Sequence, residues 1–94
     1  MALKIVFNKR ADIKLDSTLE YLRSEWSIRV ANEFLEHLYE TIDTLSIFPE
    51  IGTIVNEVNG IRGFLVTKQI KIYYRVKENK LVVLNFIDTR QKPK

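Results

Sequence analysis

The sequence predicts a two-layer α+β domain in which an N-terminal strand leads into an antiparallel helical hairpin packed on an antiparallel β-sheet. Three observations lead there. Apolar residues recur at helical spacing between Leu15 and Leu45, three runs dense in β-branched and aromatic residues follow Gly60, and the breaks between segments are short and turn-forming. The 94 residues are enough for one core, so residues 1–94 are read as one domain.

LKIVFN at 3–8 is a short β-rich run, and Asn8 is placed to cap the helix that follows. Leu15, Leu19, Leu22 and Trp26 then fall at i, i+4, i+7 and i+11 on one helical face, with Trp26 a packing anchor at the corner. Ser27 is placed to cap a second helix. Its stripe is Ala31, Leu35, Leu38, Ile42 and Leu45, widened by Phe34, and SIFPEIG ends it at Pro49 and Gly52. Almost no linker separates the two, so they form a hairpin. Residues from about 49 to 60 are expected to be a loop. IRGFLVT, IKIYYRV and LVVLNFI are then three strands, with turns at 68–69 and 78–79, where Asn79 tolerates a left-handed backbone.

A two-residue turn at Glu78 and Asn79 pairs Lys77 with Lys80. Strict alternation from that pair sets Arg75 opposite Val82, Tyr73 opposite Leu84 and Lys71 opposite Phe86. The other face carries Ile70, Ile72, Tyr74, Val76, Leu81, Val83 and Ile87, and as the more apolar face it should receive the helices. The face left open then mixes three polar side chains, Lys71, Tyr73 and Arg75, with Val82, Leu84 and Phe86. A bulge of one residue would exchange these faces.

Charge is divided along the chain. Residues 1–59 hold 6 Lys or Arg against 10 Asp or Glu, a net −4, whereas residues 60–94 hold 9 against 2, a net +7. The cationic third ends in Arg90, Lys92 and Lys94, which points to a polyanion or an acidic partner. There is no cysteine, so disulfides, thiolate catalysis and cysteine-based metal sites are excluded. No stretch approaches the roughly 18 apolar residues of a membrane span, and MALKIVF is too short for a signal-peptide core. The expectation is a cytoplasmic protein with no membrane partner. Three glycines offer no phosphate loop, and no cofactor is called for.

The chemistry available is narrow. RNA cleavage by internal attack of a 2′-hydroxyl needs a base, an acid and a stabiliser for the charged phosphorane. His37 is the only histidine and sits among Glu36, Leu38 and Glu40, on a helix surface, so no pair of histidines exists. Arg75, Arg62 and Lys71 are candidates to bind phosphate oxygens, and Tyr73 to stack a base or lend a proton. Glu33, Glu36 and Glu40 at helical spacing are better explained as a solvated face than as metal ligands.

The order of these elements, with LEYLRSEWSIRVANEFLEHLYETIDTLSIFPEIG, the arginine in GIRGFLV, the IYYRV strand and the arginine of FIDTRQKP, resembles the RelE/ParE superfamily of bacterial toxins. The resemblance covers nearly the whole chain. It implies the toxin of a type II toxin–antitoxin pair, bound and silenced by a cognate antitoxin. RelE-like members are ribosome-dependent messenger-RNA endonucleases. By that likeness Arg75 and Arg90 are the basic catalytic candidates, with Tyr73 beside them and Lys68 or Lys71 as looser binding positions. The C-terminal tyrosine of those members has no counterpart after Arg90. ParE-like members, similar in the long hairpin and in IYYRV, inhibit DNA gyrase. The basic strand tilts the expectation to ribosome and mRNA, with gyrase as the alternative and a non-toxic antitoxin-binding module as a third. In each case the docking floor would be Val82, Leu84 and Phe86, flanked by Arg62, Lys68 and Lys71.

Overall fold

A computed structural model describes residues 2–89. Its elements are β1 (Lys4–Phe7), α1 (Lys9–Glu25), α2 (Ile28–Ile47), a single 3-10 turn (Pro49–Ile51), β2 (Thr53–Asn56), β3 (Ile61–Leu65), β4 (Ile70–Lys77) and β5 (Lys80–Asp88). The strands form one sheet in the order β1-β5-β4-β3-β2, and the two helices pack on one of its faces. β1 runs parallel to β5, while β2, β3, β4 and β5 form an antiparallel meander.

The caps act where the sequence places them. Asn8 Oδ1 accepts from the Ala11 N–H at 2.8 Å and Ser27 Oγ from the Val30 N–H at 3.1 Å, so each satisfies an otherwise orphaned amide of a first helical turn. Trp26 and Ser27 alone join the helices. α1 turns Ala11, Thr18 and Leu22 fully inward with Leu15 and Leu19 half-buried, and α2 contributes Ala31, Phe34, Leu38, Ile42 and Leu45. From the sheet, Ile70, Ile72, Tyr74, Leu81, Val83 and Phe86 close the core. Trp26 is 57% exposed, so it leaves the stripe: the helix has ended and its backbone no longer follows helical spacing.

Two features depart from the expected fold. The stretch taken as loop contains the 3-10 turn and the edge strand β2, all four residues of which are exposed. Second, β5 is bulged. Lys77 pairs with Lys80 and Arg75 with Val82 as expected, through a turn in which Glu78 and Asn79 have φ of 52° and 63°. Beyond them Tyr74 pairs with Val83 but Tyr73 with Asn85, so Leu84 is the extra residue. Lys71 is therefore opposite Ile87, not Phe86, and Tyr73 is opposite Asn85, not Leu84. Phe86 is fully buried in the core, its ring 6.1 Å from that of Phe7, while Ile87 is exposed. Strict alternation from Leu81 and Val83 would have sent the Asn85 amide into the core, where an unpaired polar group costs about 1–3 kcal/mol. The extra residue spares it that burial.

Candidate functional site

The open face of the sheet is built outward from β4. Successive side chains of a strand point to opposite faces, so burial of Ile70, Ile72 and Tyr74 beneath the helices leaves Lys71, Tyr73 and Arg75 on the other side. The three span about 13 Å at the usual rise of a strand. Across the ladder they meet Ile87, Asn85 and Val82 on β5, and Leu65 and Gly63 on β3. Gly63 leaves room that its neighbours fill. A Cβ there would lie 3.1 Å from Tyr73 Cε1 and 3.4 Å from Lys71 Cδ, which shows how closely the ring and the lysine stem lean over the bare backbone. Beside them runs a cleft of about 480 Å³, lined by Ile51, Thr53, Val55, Gly63, Leu65 and Lys71 among others.

Arg75 carries the one buried side-chain polar atom that lacks a hydrogen-bond partner among the described residues, its Nε. A buried donor left unmade is costly, and an acceptor brought from outside would relieve it. No carboxylate or imidazole belongs to the described open-face positions on β4 and β5 around Tyr73 and Arg75. The arrangement can hold anionic groups against an aromatic and aliphatic floor. It does not supply a paired acid and base.

Of the other predicted site residues, Arg62 lines with Arg75 a hollow of about 300 Å³, and the rest are dispersed. Arg62 pairs with Tyr74, so its side chain belongs to the helix-side face, and Nη1 donates to the carbonyls of Glu50 at 2.9 Å and Gly52 at 2.8 Å. The Tyr74 hydroxyl donates to the Pro49 carbonyl at 2.7 Å and accepts from the Gly52 N–H at 3.1 Å. Together they fasten the 3-10 turn to the sheet. Burial pushes the Tyr74 phenol above its ordinary 10.0, opposed by the Gly52 hydrogen bond and the Arg62 charge. Lys68 lies exposed in the β3–β4 turn, and Leu84 at the bulge is half-buried. Phe86 cannot be a docking residue, because it is in the core. Arg90 lies outside the described residues. His37 is exposed on α2, its Nδ1 3.9 Å from Glu40 Oε1, and it lines a hollow on the helix side with Ile70 at the start of β4, not the open face that carries Tyr73 and Arg75. No group of three metal-ligating side chains occurs among the described residues, and no helix of the structure is long and apolar enough to cross a membrane.

The wall made by Ile51, Thr53 and Val55 is not legible in the sequence, where residues 49–60 read as loop. The alternation of T-I-V-N after Gly52 is the only signal, and it is too short to stand alone.

Residues 5–93 match the family model described as the ParE toxin of the type II toxin-antitoxin system parDE. Three solved structures share the fold. The chromosomal ParDE toxin–antitoxin system of P. aeruginosa aligns with a TM-score of 0.75 and 16% identity over 93% of this chain and 96% of that one. The RelBE2 toxin-antitoxin complex of Mycobacterium tuberculosis gives 0.62 and 16% over 94% and 99%. The YoeB dimer of Staphylococcus aureus gives 0.52 and 17% over 93% and 97%. No curated protein matches the sequence.

Proposed function

The chain belongs to the ParE toxin family of type II toxin–antitoxin systems, and from that premise we propose that it arrests growth by holding DNA gyrase against the open face of its sheet, a face that a cognate antitoxin covers to silence it. The observation that carries this reading is the make-up of that face. Lys71, Tyr73 and Arg75 stand in line with a cleft on the β3 side and Val82 and Ile87 across the ladder on β5, and no acid–base pair accompanies them among the described residues. Such a surface suits adhesion to a macromolecule better than bond cleavage, which needs a proton donor and a proton acceptor. The antitoxin segment that fits would bring carboxylates to Arg75 and Lys71 and aliphatic side chains to the cleft.

The unpartnered Arg75 Nε favours a second reading. A phosphate would supply the missing acceptor, with Tyr73 two residues away to stack a base, as ribosome-dependent mRNA cleavage requires. Arg90, which lies outside the described residues, belongs to both readings as a candidate from the sequence.

Purified protein is added to gyrase with relaxed plasmid and, separately, to a translating extract. Loss of supercoiling with translation intact supports the gyrase reading. Cleaved messenger with normal supercoiling replaces it by the second, and no effect in either assay, with free growth on expression, leaves a non-toxic antitoxin-binding module.

A further inference from the structure

β1 is shorter than the strand it accompanies. Its parallel pairing to β5 covers Lys80 to Val83, and the final rung is the Asn8 N–H to the Val83 carbonyl at 3.0 Å. The chain then turns into α1, and β5 continues to Asp88 with β4 on its other side. In an antiparallel ladder alternate residues turn their N–H and C=O groups away from the partner. The Thr89 N–H bonds to the Gln69 carbonyl, so residues of the opposite parity, Phe86 among them, face the edge that β1 has vacated. The Phe86 N–H is taken by a substitute: it donates to Oδ1 of its own neighbour Asn85 at 2.9 Å.

Alongside this edge is a cleft of about 450 Å³ lined by Arg10, Ile13, Lys14 and Ser17 of α1 and by Asn85 and Ile87 of β5. Ile13 is 61% and Ile87 40% exposed, so the cleft has an apolar residue on each wall. Arg10 and Lys14, one helical turn apart, have no ion-pair partner among the described residues, and no carboxylate lines the cleft.

We propose that the edge of β5 beyond Val83 accepts, as an added strand, an extended segment of a partner protein that alternates acidic with aliphatic side chains. Strand addition supplies main-chain hydrogen bonds, and alternate side chains supply the choice of partner. The incoming carbonyl replaces Asn85 Oδ1 on the Phe86 N–H. Aliphatic side chains of the guest fill the space between Ile13 and Ile87, and its carboxylates reach Arg10 and Lys14. In the absence of a guest, the Asn85 side chain blunts the edge and discourages indiscriminate pairing. The inference does not rest on the gyrase reading, although Asn85 and Ile87 also lie across the ladder from Tyr73 and Lys71 on the open face.

The test uses the whole chain and a capped eight-residue peptide alternating glutamate with valine, read by calorimetry and by amide exchange in NMR. The peptide should bind, slow exchange of the Phe86 amide at least tenfold, and bind roughly tenfold more weakly to the Arg10→Ala/Lys14→Ala double variant, as two lost charge-assisted contacts imply. Asn85→Ala should speed exchange of the free protein's Phe86 amide and leave peptide binding intact. Both sets of positions are at the surface, and melting curves confirm that the variants fold. Absence of binding, binding that leaves Phe86 exchange unchanged, or equal affinity for a lysine–valine peptide each overturns the proposal. Displacement of the peptide by a short RNA without Phe86 protection would assign the basic rim to nucleic acid and overturn it as well.

Discussion

Tyr74 and Arg75 are neighbours that the strand sends to opposite faces, and they do opposite work. Tyr74 is buried and its hydroxyl serves two backbone groups of the 3-10 turn, Pro49 C=O and Gly52 N–H. Tyr74→Phe leaves both unpaired and should cost about 1–3 kcal/mol in chemical denaturation, while Gly52→Ala should be worse because the new methyl group meets the Tyr74 hydroxyl. The phenol's raised pKa gives the effect a pH signature. The folded protein holds this proton more tightly than the unfolded chain, so the associated stability is present below about pH 10 and declines as pH rises through the folded value. Stability curves of the wild type and Tyr74→Phe should therefore converge above pH 10; a constant gap would show that ionisation of Tyr74 is not linked to folding. Arg75 has no such structural duty. Arg75→Ala should abolish growth arrest and weaken antitoxin binding while shifting the melting temperature little, because its buried Nε makes no hydrogen bond to the described residues. Lost toxicity accompanied by a collapsed melting temperature would instead mark it as support for the core.

Among the elements, the hairpin was the most legible because stripe and cap agree. Leu35, Leu38, Ile42 and Leu45 repeat at 3.6-residue spacing, and Ser27 sits where an unpaired amide needs an acceptor. Leu38→Asp should consequently bury an unpaired charge and cost several kcal/mol, whereas Glu36→Lys on the exposed side should change the midpoint hardly at all. Comparable losses in the two variants would refute the facing assigned to α2. β5 was less legible. Its register near the turn followed from Glu78 and Asn79, but Leu84 is one apolar residue among several and nothing about it announces an insertion. The clue lay in Asn85, a polar residue that unbroken alternation would have placed in the core with Leu81 and Val83. The bulge yields a sharp prediction: deleting Leu84 restores a flat ladder, turns either Phe86 or the pair Leu81 and Val83 out of the core, and should prevent folding, as judged by loss of cooperative melting. A stable, native-like deletion variant would mean that register is set from the Asp88 end alone. β2 was invisible for a plainer reason, since four exposed residues carry no periodic burial for a pattern to reveal.

For the molecule as a whole, expression without antitoxin should arrest growth and co-expression of the antitoxin should release it. The surface proposed to account for both is partly readable. Lys71, Tyr73, Arg75 and Val82 were assigned to the open side from alternation and remain there, whereas Phe86 was lost to the core and Ile87 stands in its place. Arg62 suggests phosphate by its type, and the structure adds a backbone task through Nη1 beside its cross-strand neighbour Tyr74. Rising salt should weaken polyanion binding to the wild type more steeply than to Arg75→Ala, measured as the slope of log affinity on log salt; parallel slopes would exclude Arg75 from the contact. The parallel pairing of β1 with β5 also bears on when danger begins. The first strand made must wait for the last strand made, and β5 lies between β1 and β4 in the sheet. With translation proceeding at about 5–20 residues per second, a nascent chain can form its hairpin early but has no completed sheet until Asp88 has been added and released. The sheet is thus completed only after β5 has been made, and an antitoxin already present would meet the chain as that sheet closes.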